Sequence, residues 1–248
     1  MLQEGAEPPA DSVSAPGPPL LLTSGETTEI TVVNRLTEPT TIHWHGLELE
    51  SVFDGVAGWS RTGPRIAPLI APGDSFAVRI APPRAGTFIY HTHMDDTDQL
   101  AQGMIGPFLV MEPGQVFDPE SDRVFTIGGQ EDGPYPVNIN GRTDPPPASF
   151  RAGRQYRLRF VHITRGTTLR LSLVRGGTPV RWRAVAKDGA DLPPALQVEG
   201  PAELRTQTGE TFDFLWTPEE PGAAELVLRY ESLFSEEERV VTQTFRVR

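Results

Sequence analysis

The chain has 248 residues, Gly 24 and Pro 25 among them, so it is long enough for two ordinary domains and rich in residues that punctuate strands rather than extend helices. Its formal net charge of -11, from 33 acidic against 22 basic side chains, excludes nucleic acid as a partner, because polyanions are held through Lys and Arg. The count Cys 0 removes disulfides, thiolate nucleophiles, iron–sulfur clusters and zinc–thiolate sites, and no apolar run reaches the roughly 20 residues that would cross a bilayer, so no membrane association is expected.

In chain order, residues 1–17 are rich in Pro, Ala and Glu and have neither the basic start nor the apolar centre of a signal peptide. They are expected to form a flexible leader or the cut end of a linker, in a piece of a longer chain whose missing part comes first. Apolar and polar residues then alternate with period two over 28–33, 41–47, 76–80 and 86–93, and again over 156–161, 168–174, 212–216 and 225–230. The runs 20–22 and Ile105–Met111 are apolar throughout but only strand-sized. Turn residues break the chain at short intervals between these runs, the pattern of an all-β sandwich or barrel. The acidic stretches Asp95-Asp96-Thr97-Asp98 and Glu236-Glu237-Glu238 read as solvated loops.

The chain also resembles itself. The segment from Gly73-Asp74-Ser75-Phe76 through Pro82 to Gly86 aligns without a gap on Gly209-Glu210-Thr211-Phe212 through Pro218 to Gly222, an offset of 136 residues. A second match sets Gly25, Ile30 and Val32 against Gly153, Leu158 and Phe160, an offset of 128. Two tandem copies of one β-domain are expected, over 18–113 and 118–248. The same alignments put Leu171 and Leu173 at the positions of His43 and His45, and Val227 and Arg229 at those of His91 and His93. One scaffold thus occurs with and without its histidines, which marks them as functional.

Of His 5 in the chain, four fall in two copies of one spacing, His43-Trp44-His45 and His91-Thr92-His93. On a strand, residues i and i+2 project from one face, so each pair is a clamp of two imidazoles, with Trp44 and Thr92 turned away. Neutral imidazole binds copper, zinc, iron or nickel, and the usual affinity order favours copper. The fifth histidine, His162, aligns with Asn34 and reads as structural. Trp44 and Tyr90 read as packing, and Met94, Met104 and Met111 follow no clamp spacing and read as gap-filling residues.

Several longer stretches carry a resemblance: Asn34-Arg35-Leu36, Ile42-His43-Trp44-His45-Gly46-Leu47, Phe53-Asp54-Gly55-Val56, Ala71-Pro72-Gly73, Ala85-Gly86-Thr87-Phe88-Ile89-Tyr90-His91-Thr92-His93 and Gly103-Met104-Ile105-Gly106-Pro107-Phe108-Leu109-Val110. Together they resemble the trinuclear-site domain of multicopper oxidases, the laccase and ascorbate oxidase family. The second copy resembles that family's copper-free domain, with Asn138-Ile139-Asn140-Gly141-Arg142, Tyr156-Arg157-Leu158-Arg159-Phe160 and Gly209-Glu210-Thr211-Phe212-Asp213 as landmarks. The resemblance implies two tandem cupredoxin-like Greek-key domains. It implies His43 on a type 2 copper and His45, His91 and His93 on a type 3 pair, where dioxygen is reduced to water. Asp54 matches an acid that relays protons to reduced oxygen, and its alternative reading is a turn aspartate in Asp-Gly.

Such an enzyme also needs further histidines and a cysteine thiolate for its type 1 copper, and this sequence has neither. The expectation is therefore half of a trinuclear site, completed by a cupredoxin domain or partner chain with a His-Cys-His motif. Self-association could bring two sets of four histidines together, without supplying type 1 copper. The resemblance implies a periplasmic or secreted protein. The alternative is a non-catalytic metal-binding cupredoxin protein for copper storage, delivery or stability.

Overall fold

A computed structural model describes residues 14–95, 98–129, 136–164, 168–231 and 239–248. Most of the leader expected over 1–17 and the acidic residues 236–238 fall outside these, as do Asp96 and Thr97. The chain divides into two compact units, Met1–Phe117 and Asp118–Arg248.

The first unit contains β1 (Leu20–Thr23), β2 (Thr28–Val33), β3 (Ile42–His45), β4 (Arg61–Thr62), β5 (Arg65–Ile66), β6 (Ser75–Ile80), β7 (Gly86–Thr92) and β8 (Ile105–Met111). A four-stranded sheet runs β1-β8-β7-β3, the antiparallel pair β2-β6 forms a second layer, and β4-β5 is a small hairpin. Alternation puts Trp44, Phe88 and Phe108 from the larger sheet and Val78 and Ile80 from the smaller into one buried cluster. Trp44 is 2% exposed and meets Phe108 edge-on at 5.8 Å, which makes it a core residue, as its place opposite the histidines requires. Tyr90 lies across from Gly106 on β8, where an added Cβ would come 2.2 Å from the ring carbon Cζ, and its hydroxyl donates to the Pro18 carbonyl at 2.9 Å. Burial holds that phenol well above its ordinary pKa, so Tyr90 is a neutral packing residue.

The second unit contains β9 (Asp122–Gly128), β10 (Asn138–Ile139), β11 (Ala148–Phe150), β12 (Tyr156–His162), β13 (Thr168–Arg175), β14 (Thr178–Pro179), β15 (Arg181–Lys187), β16 (Ala190–Asp191), β17 (Glu199–Pro201), β18 (Glu203–Thr206), β19 (Thr211–Trp216), β20 (Gly222–Glu231) and β21 (Val240–Val247). One sheet follows β10-β9-β12-β19-β15-β16 and the other β11-β21-β20-β13-β14. Phe150, Phe160, Trp182, Phe214, Trp216 and Phe245 from both layers fill the core between them.

The two units repeat one plan. The path β11-β21-β20-β13 matches β1-β8-β7-β3 strand for strand, including the parallel pairing of β1 with β8 and of β11 with β21, and β12-β19 matches β2-β6. Val32 pairs with Phe76 as Phe160 pairs with Phe212. Loop hydrogen bonds recur as well: Gly25 donates to Pro82 and Gly153 to Pro218, while Gly73 donates to Asn34 and Gly209 to His162.

In β13 the sequence alignment is one residue out. His43 pairs with His91 across β3 and β7, but Val227, the counterpart of His91, pairs with Ser172 rather than Leu171. A shift of one residue exchanges the faces of a strand, and Leu171 and Leu173 are 1% and 0% exposed, on the core side with Trp44. The counterparts of the four histidines are therefore Ser172, Val174, Val227 and Arg229. The gapped sequence match hid this because Leu suits either face of an alternation that short. The second unit still builds the fold without the histidines.

His162 has the structural place expected of it. It is 1% exposed, with Nε2 2.7 Å from Thr164 Oγ1 and Nδ1 3.3 Å from Thr206 Oγ1, and burial pushes its pKa down to about 3. A folded pKa below the unfolded one favours the native state above the unfolded value, and that contribution is lost as pH falls toward the folded value. Relative to His162→Gln, the wild-type chain is expected to lose stability between pH 6.5 and about 3 with an added slope of about 1.4 kcal/mol per pH unit. Denaturant melts of both proteins across that range measure it, and parallel curves would refute it.

Candidate metal centre

The site begins with the pairing of β3 and β7. Their antiparallel register sets His43 directly opposite His91, and the two-residue period adds His45 along β3 and His93 just past the end of β7. The four rings converge. The His43 centroid lies 5.5 Å from His45, 5.3 Å from His91 and 5.5 Å from His93, and His45 and His91 stand 5.6 Å apart. The ligand atoms of His43, His45 and His91 all lie within 4.8 Å of one another. His91 is buried, His43 and His45 are half-buried, and His93 is exposed at the rim.

Backbone carbonyls fix two of the tautomers. His43 Nδ1 is 2.7 Å from the Asp54 carbonyl and His91 Nδ1 is 2.6 Å from the Thr92 carbonyl. A carbonyl oxygen only accepts, so both rings carry their proton on Nδ1 and present an Nε2 lone pair. His91 Nε2 is buried and has no hydrogen-bond partner among the described residues. An acceptor left unpaired in the interior costs free energy unless something binds it, and a metal ion does so without a proton. Burial first, then the neighbouring His43, His45 and His93, push the His91 pKa down to about 4 against the opposing pull of its bond to Thr92, so the ring is neutral at pH 7. The donor set fits a metal ion that prefers imidazole.

Asp54 reaches the site in a way its side chain did not suggest. It follows a short 3-10 turn, Ser51–Phe53, and it is the backbone carbonyl that meets His43 most closely. Its carboxylate Oδ1 stands 3.4 Å from the same nitrogen, Oδ2 accepts the Ser60 hydroxyl at 3.0 Å, and the side chain is 30% exposed. Asp54 thus lies in a turn with its carboxylate close to His43. Of the methionines, Met94 is 48% exposed, Met111 is buried, and Met104 Sδ lies 3.4 Å from Thr40 Oγ1.

One buried polar network went unread in the sequence. Gln99, 7% exposed, accepts the Thr40 and Thr92 hydroxyls through Oε1 at 2.7 and 2.8 Å and donates through Nε2 to the Pro39 carbonyl at 3.0 Å. Lone Thr and Gln residues in segments far apart in sequence give no periodic signal.

Comparison with known proteins agrees with this geometry. Residues 12–115 match the family model described as multicopper oxidase. Laccase-1 of Emericella nidulans is 34% identical over 128 residues, which are 48% of this chain and 20% of that protein. Multicopper oxidase MmcO of Mycobacterium tuberculosis is 27% identical over 206 residues, 64% of this chain and 39% of that protein. The chain thus spans well under half the length of these relatives. The blue copper oxidase of Nitrosomonas europaea superposes with a TM-score of 0.73 at 20% identity, covering 94% of this chain and 77% of that one, and shows the cupredoxin-like β-sandwich fold in both units. The stretch that matches the multicopper oxidase family model, residues 12–115, is the one that carries the four histidines.

Proposed function

We propose that the chain is the copper-binding part of a laccase-like multicopper oxidase and contributes half of a type 2/type 3 trinuclear site. The observation that carries this is the convergence of four imidazoles on paired strands, with two Nδ1 protons committed to backbone carbonyls and the His91 Nε2 left buried and unpaired. In this reading His43 would hold the type 2 copper, and His45, His91 and His93 the type 3 pair. Bound copper would supply one-electron chemistry toward dioxygen, the acceptor that ends as water. The chain's own part is to aim these rings, and to hold the Asp54 carboxylate, braced by Ser60, beside His43 as the acid that relays protons.

With no cysteine in the sequence and Ser172, Val174, Val227 and Arg229 at the second unit's equivalent positions, oxidation of a donor calls for a further cupredoxin domain or chain with a His-Cys-His motif. The reading places the protein in the periplasm or outside the cell.

The test is reconstitution. Copper-loaded chain alone is expected to show no intense blue absorption and no oxygen uptake with a phenol, and to gain both when a Cys-bearing cupredoxin partner is added. Intense blue absorption and phenol oxidation by the chain alone would contradict the half-site. Copper binding with no gain from any such partner would favour the non-catalytic reading.

A further inference from the structure

We infer that Gln99 is a positioning residue for the histidine cluster, setting the ring of His91 and the backbone that carries His93 through Thr92. This rests on the reading of the cluster as a metal site, although its test does not need the metal.

The geometry leaves Gln99 one orientation. Pro39 offers only a carbonyl oxygen, so the amide nitrogen must face it, and Oε1 then faces the hydroxyls of Thr40 and Thr92. Both hydroxyls must donate to it. The Thr92 hydroxyl, its proton spent on Gln99, accepts from the Met94 N–H at 3.3 Å, which ties down the peptide on the far side of His93. The Thr92 carbonyl accepts the His91 Nδ1 proton. One residue, 0% exposed, therefore holds the His91 ring and the peptide that follows His93, and Gln99 fixes that residue's side chain.

The backbone closes the same circuit. Thr92 N–H donates to the Met104 carbonyl and Met104 N–H to the Gln99 carbonyl, both at 3.0 Å, so Thr92 is tied to Gln99 by main chain and side chain together. Through Thr40 and Pro39 the same amide holds the entry to β3, two residues before Ile42 and the first clamp. A single side chain thus ties the approach to β3 to the exit of β7, the two strands whose register creates the site. A buried, connected polar network specifies one arrangement, and losing its centre takes from both hydroxyls the amide oxygen they donate to and from the Pro39 carbonyl its side-chain donor.

The experiment reads the rings directly. Long-range proton–nitrogen NMR correlations of the metal-free 248-residue chain at neutral pH are expected to show His91 as a single Nδ1–H tautomer. In Gln99→Leu, His91 is expected to become a mixture of tautomers, the His93 signal to broaden, and copper affinity to fall about 10- to 100-fold. Thr92→Val, which removes only the hydroxyl, is expected to reproduce the His93 broadening. Gln99→Met keeps the side chain's length and bulk without its acceptor and is expected to lose the single His91 tautomer as Gln99→Leu does, which a general packing role would not predict. Retention of the wild-type ring spectrum in a folded Gln99→Leu or Gln99→Met would overturn the inference. If the wild type binds no copper while the ring spectra follow this pattern, the functional reading fails and the positioning role stands.

Discussion

Gly55→Ala is expected to destabilise the first unit by about 3 kcal/mol and to weaken metal binding at His43. Gly55 has φ +87, a region that costs any other residue, and its added Cβ would lie 1.8 Å from the Ile42 carbonyl oxygen and 2.9 Å from the His43 nitrogen. Backbone atoms of a paired strand cannot yield as a flexible side-chain end would, so the turn must move. Moving it carries the preceding Asp54 carbonyl away from His43 Nδ1 and releases that ring's tautomer. Gly58 on the same loop is the control: its φ is +77 but nothing lies within 4 Å of its added Cβ. Gly58→Ala should therefore cost only the conformational term, about 1 kcal/mol, and leave copper affinity unchanged. Denaturant titration and copper titration of the two variants separate the terms, and equal losses in both would contradict the account.

In the second unit the largest loss is expected from Asp213→Ala, about 3 to 5 kcal/mol. The Asp213 carboxylate is 1% exposed and accepts Arg159 Nη1 at 2.9 Å and Arg157 Nε at 2.8 Å, while Arg159, itself 5% exposed, donates its other nitrogens to Asp122. Removing the aspartate leaves guanidinium charge in the interior with half its compensation. The exposed pair Arg181 with Glu199, each 60% accessible, is the contrast, and Glu199→Ala should change stability by no more than about 0.5 kcal/mol. Equal effects from the two substitutions would refute the distinction between a buried network and a solvent-screened pair.

The legible part of this protein was whatever repeats. Period-two alternation located eight strands because one face of each meets a core, and the repeat of Gly73 to Gly86 in Gly209 to Gly222 anticipated hydrogen bonds that recur residue for residue. The two His-X-His spacings foretold clamps, since strand geometry alone makes i and i+2 share a face. The illegible part was whatever depends on which residue stands opposite which. Nothing in the sequence says that His43 faces His91, and the one-residue error at Leu171 shows how a short alternation hides register. Asp54 was weighed as a carboxylate, yet its carbonyl makes the shorter contact, because a turn's backbone direction is set by the Gly55 approach to Ile42. Gln99 escaped notice because its partners lie 59 and 7 residues away, with no pattern joining them.

The strands β9 and β15 were missed for a related reason. The burial pattern along β9 runs from half-buried to fully buried rather than alternating, and β15 carries an irregularity between Ala184 and Ala186 that breaks the period. Their longest pairings, β9 with β12 and β15 with β19, join segments well separated in sequence, which supply what local pattern lacks.

The most direct test of the central claim is copper titration of the chain, with metal analysis and electron paramagnetic resonance, beside His43→Ala and His91→Ala. The account predicts copper held by the wild-type chain with nitrogen hyperfine structure from imidazole, and loss of most of it in either variant while circular dichroism reports an intact β-fold. Failure to bind copper, or binding that both variants leave unchanged, would contradict it.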